Sequence, residues 1–170
     1  MPELPEVETT LRGIRPWLEG RRLQSIEVRD PRLRWPVPAT VGRAAGAQIT
    51  ALRRRGKYLL LETDAGGDLL IHLGMSGSLR VITDGAPPRP HDHFDLVTRD
   101  AVVRFNDPRR FGALLWVDPP RDAHKLLAHL GPEPLGDAFD GRWLYTNARG
   151  RRVAVKQYIM DGKVVVGVGN

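Results

Sequence analysis

Apolar positions in the opening stretch recur at the helical period. Leu4, Val7, Leu11, Ile14 and Leu18 share one face, with Pro5 near the start and Gly20 just past the end, so residues 4 to 18 are predicted as an amphipathic helix that contains Pro16 late in its course. From Arg21 the pattern shortens into strand-like runs: Leu23 to Val28, Ile49 to Arg53, Tyr58 to Glu62, Leu69 to Leu73, Leu79 to Ile82, Phe94 to Thr98, Val102 to Phe105 and Ala113 to Val117. Gly, Pro, Asp or Asn bounds each run. Many short strands without alternating helices indicate an antiparallel β-sandwich or barrel, so the fold class is mainly β with helices (α+β). Asp64 to Gly67 and Asp84 to Pro90 read as turns, and the second, with Gly85, Pro87, Pro88 and Pro90, is expected to be a mobile loop. Residues 123 to 130 are predicted as a short helix closed by Gly131, and Arg142 to Tyr145 and Val153 to Met160 as weaker helical segments. No internal repeat or domain boundary stands out. Residues 161 to 170, rich in valine and glycine, suit a connection into another element better than a free tail, and the chain reads as cut there.

Composition is that of one ordinary globular domain: 170 residues, 41% hydrophobic and 27% charged. With 26 Lys plus Arg against 20 Asp plus Glu, the net charge is +6. That favours a polyanionic partner, most economically nucleic acid, although basic ribosomal or membrane-surface proteins share the balance. No apolar run approaches the ~20 residues of a membrane span, and no charged-then-apolar leader opens the chain, so a cytosolic protein without a membrane partner is expected. There is no cysteine, which excludes disulfides and Cys-ligated zinc within these residues.

The first residues offer chemistry. Once Met1 is removed, Pro2 becomes a secondary amine with a pKa near ~8, partly unprotonated at neutral pH and therefore nucleophilic. Attack on a sugar carbon gives a cationic iminium, an electron sink that acidifies the adjacent C–H. Glu3, Glu6 and Glu8 stand close by, and the plainer reading is a rigid helix start with carboxylates suited to the helix dipole. Arg53-Arg54-Arg55-Gly56-Lys57 leads into a strand, either as a solubilising edge or as a phosphate contact with Lys57 available for acid/base work. Met75, between Gly74 and Gly77, is either buried filler or an apolar wedge that enters a DNA stack. His91-Asp92-His93 and His72 lack a fourth ligand at sensible spacing, so no metal site is assigned and a structural His–Asp contact is expected. Asn106 to Gly112 is a turn presenting Arg109, Arg110 and Phe111: a charged hairpin tip with Phe111 folded inward, or a base-gap filler. Arg151, Arg152 and Lys156 form a further basic patch.

Taken together, Pro-Glu-Leu-Pro-Glu-Val-Glu-Thr at 2 to 9, Arg-Arg-Gly-Lys-Tyr-Leu at 54 to 59, His-Leu-Gly-Met-Ser-Gly at 72 to 77, His-Asp-His at 91 to 93, Asp-Pro-Arg-Arg-Phe-Gly at 107 to 112, Leu-Gly-Pro-Glu-Pro-Leu at 130 to 135 and Val-Gly-Val-Gly-Asn at 166 to 170 resemble formamidopyrimidine-DNA glycosylase, the bacterial base-excision-repair family for oxidised purines. The resemblance implies a two-layer antiparallel β-sandwich preceded by the N-terminal helix, spanning residues 2 to 160, with residues 161 to 170 beginning a linker. It implies Pro2 as the nucleophile at C1′, Glu3 as acid/base partner supported by Glu6, and Lys57 as phosphate contact and elimination acid. Met75, Arg109 and Phe111 are the implied intercalating triad, and His72, His91, Arg109, Arg151, Lys156 and Asn170 the implied DNA contacts. The implied activity is glycosylase plus AP lyase (β,δ-elimination) on double-stranded DNA, by a monomer in the bacterial cytoplasm. The family continues into a helix-two-turns-helix element and a four-cysteine zinc finger, so its structural zinc has no ligands in these residues and no cofactor is expected here. The sister family for oxidised pyrimidines, endonuclease VIII, and a non-catalytic lesion-binding module are the competing readings.

Overall fold

The computed structural model describes all 170 residues. Helix α1 (Leu4–Leu18) buries Val7, Leu11, Ile14 and Leu18, the predicted stripe. Its start is closed by a carboxylate: Glu6 accepts the Glu3 backbone N–H at 2.9 Å, which satisfies an amide no helix turn can reach. Pro16 lies within the last turn without ending the helix, and the Glu19 N–H still reaches the Arg15 carbonyl.

Eight strands follow: β1 (Ser25–Val28), β2 (Ile49–Arg55), β3 (Tyr58–Thr63), β4 (Asp68–His72), β5 (Ser78–Ile82), β6 (Asp92–Val97), β7 (Val102–Asn106) and β8 (Ala113–Val117). They form two antiparallel four-stranded sheets, ordered β1-β6-β7-β5 and β2-β3-β4-β8. The main core joins both sheets with α1: Leu52, Leu59, Leu61, Leu69, Ile71 and Leu114 from the second sheet meet Phe94, Leu96, Val103 and Phe105 from the first. Phe94 and Phe105 stack at 4.9 Å. The second sheet is also covered on its outer face, where Leu60, Leu70 and Val117 pack with Leu127. Burial on both faces is why Leu59-Leu60-Leu61 and Leu69-Leu70-Ile71 run apolar instead of alternating. Edge strand β2 is occupied by α1, since Glu19 accepts the Leu52 N–H at 2.8 Å and Arg15 donates to the Leu52 carbonyl at 3.2 Å.

The structure departs from the sequence reading in three places. Residues 123–130 are not a helix: after a short 3-10 turn (Arg121–Ala123) the chain makes separate turns, and the His124 ring takes the Leu126 N–H that a helix would use. Asn106 to Gly112 is not a hairpin tip, because β7 and β8 belong to different sheets and the segment crosses between them. The proline-rich 84–90 segment is tied down by Arg104, which donates to the Ala86 carbonyl at 2.8 Å, and by the Arg89 N–H, which donates to Asp92 at 2.7 Å.

Two short helices, α2 (Gly141–Ala148) and α3 (Val155–Ile159), complete the elements. Residues 161–170 then turn back: Gly131 N–H donates to the Gly162 carbonyl at 2.7 Å, Val166 N–H to the Pro132 carbonyl at 3.1 Å, and Val165 and Val166 are buried. This strap crosses the start of α1. A Cβ on Gly169 would lie 2.5 Å from the Glu3 carboxylate, so a larger residue there would displace that side chain.

Candidate nucleic-acid site

Helix α1 holds Pro2 and Glu3 at its N-terminal end, and the β2–β3 turn brings Lys57 to the same point. The Lys57 ammonium pairs with the Glu3 carboxylate, and both side chains are about three-quarters covered. Glu3 and Glu6 form a capping box, so the Glu3 carboxylate faces both the first turn of α1 and Lys57. Met1, 67% exposed, precedes them.

The turn carrying Lys57 is locked onto α1 by a network that sequence reading missed. Glu133 accepts the Gly56 N–H at 2.7 Å, Arg55 at 3.1 Å and Arg54 at 2.7 Å, while Arg54 also donates to Glu8 at 2.9 Å. Burial alone would raise the Glu133 carboxyl, but the Gly56 amide and the two guanidiniums outweigh it and hold it below the usual carboxylate range. The reading of Arg53, Arg54 and Arg55 as phosphate contacts is therefore corrected: Arg53 pairs with Glu62 and the other two with Glu8 and Glu133. The Leu-Gly-Pro-Glu-Pro-Leu motif was the available signal, without any hint of which partner Glu133 would reach.

His72 ends β4 beside this pair. Its Nδ1 accepts the Gly74 N–H at 3.0 Å and its ring packs on Tyr58 at 4.9 Å. Burial first, then the positive charges of Arg34 and Lys57, push the ring down to about 4, so it is neutral at physiological pH with Nε2–H free to donate.

Two turns then meet to form a cleft of about 770 Å³ whose lining includes His72, Met75, Arg109 and Phe111. Asp107 joins them from a fully buried position, accepting Ser76 Oγ at 2.6 Å and Gly112 N–H at 2.8 Å, and Ser76 Oγ accepts the Arg109 N–H at 3.2 Å. Gly74, at φ +65°, permits the approach, since a Cβ there would collide with the Phe111 backbone. Met75 and Phe111 are 39% and 44% exposed, so neither is core filler, and the Arg109 guanidinium lies 5.2 Å over the Phe111 ring. Asp107 and Ser76 were missed because their meeting depends on the crossing between sheets.

The expected His–Asp contact does not form. His93 is buried with its ring nitrogens at 3.1 and 2.9 Å from the Asp30 and Asp107 carbonyls, while Asp92 is held by Arg80 and Asn106. His91 is exposed and accepts the Asp107 N–H at its carbonyl. Arg151 lines a separate hollow with Trp143 and Lys163, Lys156 lies on α3, and Asn170 follows the strap beside Glu3. The structure thus brings Pro2, Glu3 and Lys57 together and groups His72, Met75, Arg109 and Phe111, while His91, Arg151 and Lys156 are outside the cleft lining. No group of three or more His, Asp or Glu is arranged to hold a metal, and no helix is long and apolar enough to cross a membrane.

Comparison with known proteins bears on the family and the fold. The family model described as "Formamidopyrimidine-DNA glycosylase N-terminal domain" matches residues 1–114. Formamidopyrimidine-DNA glycosylase of Xanthomonas euvesicatoria is 59% identical over 172 aligned positions, and that of Alcanivorax borkumensis 60% over 173; all of this chain is covered in each. The chain spans 63% of the length of those relatives. Among solved structures, MutM (Fpg) of Thermus thermophilus superposes with a TM-score of 0.85 at 38% identity, covering 99% of this chain and 60% of that one. Lactococcus lactis Fpg, bound to DNA containing an AP site, superposes with a TM-score of 0.88 at 31% identity, covering 99% and 66%. With a family model matched over most of its length and the same fold in its structural relatives, this chain belongs to the formamidopyrimidine-DNA glycosylase N-terminal domain family.

Proposed function

We propose that this chain performs base-excision repair on double-stranded DNA, removing oxidised purines such as 8-oxoguanine and formamidopyrimidines and then cutting the strand as an AP lyase. The observation that carries the reading is the Glu3–Lys57 pair at the Pro2 end of α1, where a carboxylate and an ammonium stand next to the residue whose nitrogen becomes a secondary amine on loss of Met1. It is supported by the Lactococcus lactis relatives, whose structures contain DNA with an abasic site or N7-Benzyl-Fapy-dG.

In this reading the Pro2 nitrogen, freed of Met1, attacks C1′ and the glycosidic bond breaks, with Glu3 supplying the proton that the sugar or departing base requires. The attacking nitrogen then loses its proton, the C1′–O4′ bond breaks with O4′ taking a proton, and the nitrogen lone pair forms a C1′=N iminium that is cationic because Pro2 is a secondary amine. It draws electrons from C2′, the C2′ proton is lost, and the bond to the 3′ oxygen breaks; a second elimination releases the 5′ oxygen. Lys57 donates to the leaving phosphate, and Glu6 keeps the Glu3 backbone in place through the helix cap. Met75, Arg109 and Phe111 fill the gap left when the nucleotide is flipped out. Neutral His72 offers Nε2–H to the DNA backbone, with His91, Arg151, Lys156 and Asn170 as further contacts.

Borohydride trapping on an 8-oxoguanine duplex tests the reading, alongside intact mass to establish loss of Met1. A covalent adduct is expected at Pro2, and competition by 8-oxoguanine duplex is expected to exceed that by thymine glycol duplex. Glu3→Gln should lower base release ~10²–10⁴-fold. Full activity in Pro2→Gly would overturn Pro2 as the nucleophile, and lesion-duplex binding by the wild type without base release or strand cutting would favour a lesion-binding module.

A further inference from the structure

Arg34 has no part in the chemistry above, yet it lines the same cleft. It sits in the loop between β1 and the 3-10 turn Ala39–Ala44, and that loop is firmly built. Asp30 accepts the Arg32 N–H at 3.0 Å and Arg32 Nε at 2.9 Å, Arg32 bridges to Pro36, and Leu33 is buried beneath. The loop is seamed to the wedge segment, since the Arg34 N–H donates to the Gly112 carbonyl at 3.0 Å and Arg110 approaches Asp30 at 3.8 Å.

The Arg34 side chain differs from those around it. Arg29, Arg32, Arg54 and Arg55 are each paired with a carboxylate, whereas Arg34 pairs with none and instead lies 4.9 Å over the Trp35 ring. Arg109 is presented in the same way on Phe111, at 5.2 Å, across the same cleft. The Arg34 charge reaches toward the Lys57 side as well, because it depresses the His72 ring. A guanidinium resting over an indole with no carboxylate partner keeps its N–H groups free, and its planar fork matches the two non-bridging oxygens of a phosphodiester.

We propose that Arg34, held on Trp35, binds one phosphate of the DNA duplex beside the Met75–Arg109–Phe111 wedge. This rests on the DNA reading above and adds to it a contact that positions the duplex without regard to sequence. The fork takes two oxygens of a single phosphate, so Trp35 acts as the platform and Arg34 as the ligand.

The test measures binding of the chain to a duplex carrying a tetrahydrofuran abasic analogue, for wild type, Arg34→Ala and Arg34→Lys. Arg34→Ala is expected to weaken binding roughly 10-fold, the size of one charge-assisted hydrogen-bonded contact. Its plot of log affinity against log salt should be shallower by about 0.9, the share of a single neutralised phosphate. Arg34→Lys should keep the wild-type slope and give up part of the affinity. Replacing phosphates one at a time with neutral methylphosphonates should reveal one position that weakens the wild type and leaves Arg34→Ala unaffected. An unchanged urea midpoint for Arg34→Ala shows that the fold is intact. Wild-type affinity and slope in Arg34→Ala, or no such phosphate position, overturns the contact while leaving the DNA reading standing. Absence of duplex binding by the wild-type chain at low salt overturns both.

Discussion

Burial and two neighbouring cations, Arg34 and Lys57, hold the His72 ring at about 4, far below its ordinary 6.5, with Asp107 pulling weakly the other way. Between these values the unfolded chain carries a proton that the folded chain refuses. Stability therefore falls as pH drops from 6.5 to about 4 and this contribution is fully lost below that, by at most ~3 kcal/mol for a shift of this size. Urea midpoints across the window should show a shallower dependence in His72→Gln than in wild type; identical curves would mean the ring is not neutral when folded. Neighbours held together by one motif or one turn were legible in sequence, and groupings made by distant segments were not. Pro2 and Glu3 sit in one short motif, and Lys57 comes back to them through a single turn. Met75 and Phe111 stayed open between core and wedge, because glycine-flanked apolar residues occur in both settings, until their exposure excluded the core. Asp107 had no local signal for Ser76, which a separate connection between the sheets brings to it, while Gly112 lies in its own segment.

At the scale of elements, α1 and the β2–β3 turn must keep a fixed mutual position for Glu3 to meet Lys57. Leu11 lies mid-stripe and 2% exposed, so Leu11→Ala should cost about 2–5 kcal/mol by urea unfolding, the range for a large apolar residue deleted from a core. Glu133→Gln strikes the other tie. It keeps the shape and removes the charge that faces Arg54 and Arg55, leaving both without one carboxylate and costing about 1–3 kcal/mol. Its more telling effect should be on chemistry: the β2–β3 turn loosens, and borohydride trapping slows more than duplex affinity falls. Equal loss of both would make Glu133 merely structural. The helix was legible from its period and the eight strands from short apolar runs bounded by turn residues, even where burial on both faces replaces alternation. Residues 123–130 were not, since a periodic apolar pattern there serves turns that tuck Leu127 under the second sheet, and the His124 ring competes locally for an amide. The pairing of Arg54 and Arg55 was also illegible: a basic run looks the same in sequence whether it faces DNA or a carboxylate far along the chain.

Over the whole molecule, the net charge of +6 overstates the field that DNA would meet in some places and understates it in others. Arg53, Arg54, Arg55, Arg80 and Arg104 are spent on internal carboxylates, while Arg34 and Arg109 have none and line the cleft. Counterion release should therefore follow the unpaired cations and Lys57, not the total count of basic residues. His72 separates the two ideas, because a neutral ring can donate a hydrogen bond to a phosphate without releasing an ion. Fluorescence anisotropy with an abasic-analogue duplex at several salt concentrations should show Arg109→Ala shallower than wild type by about 0.9 for each phosphate that Arg109 neutralises, with a weaker binding constant. Arg53→Ala, whose partner is Glu62, should leave the slope unchanged. His72→Gln should weaken binding at every salt concentration along a parallel line. A His72→Gln line shallower than wild type would mean that the ring carries charge when DNA is bound, and that the duplex supplies the proton affinity that burial, Arg34 and Lys57 remove in the free chain.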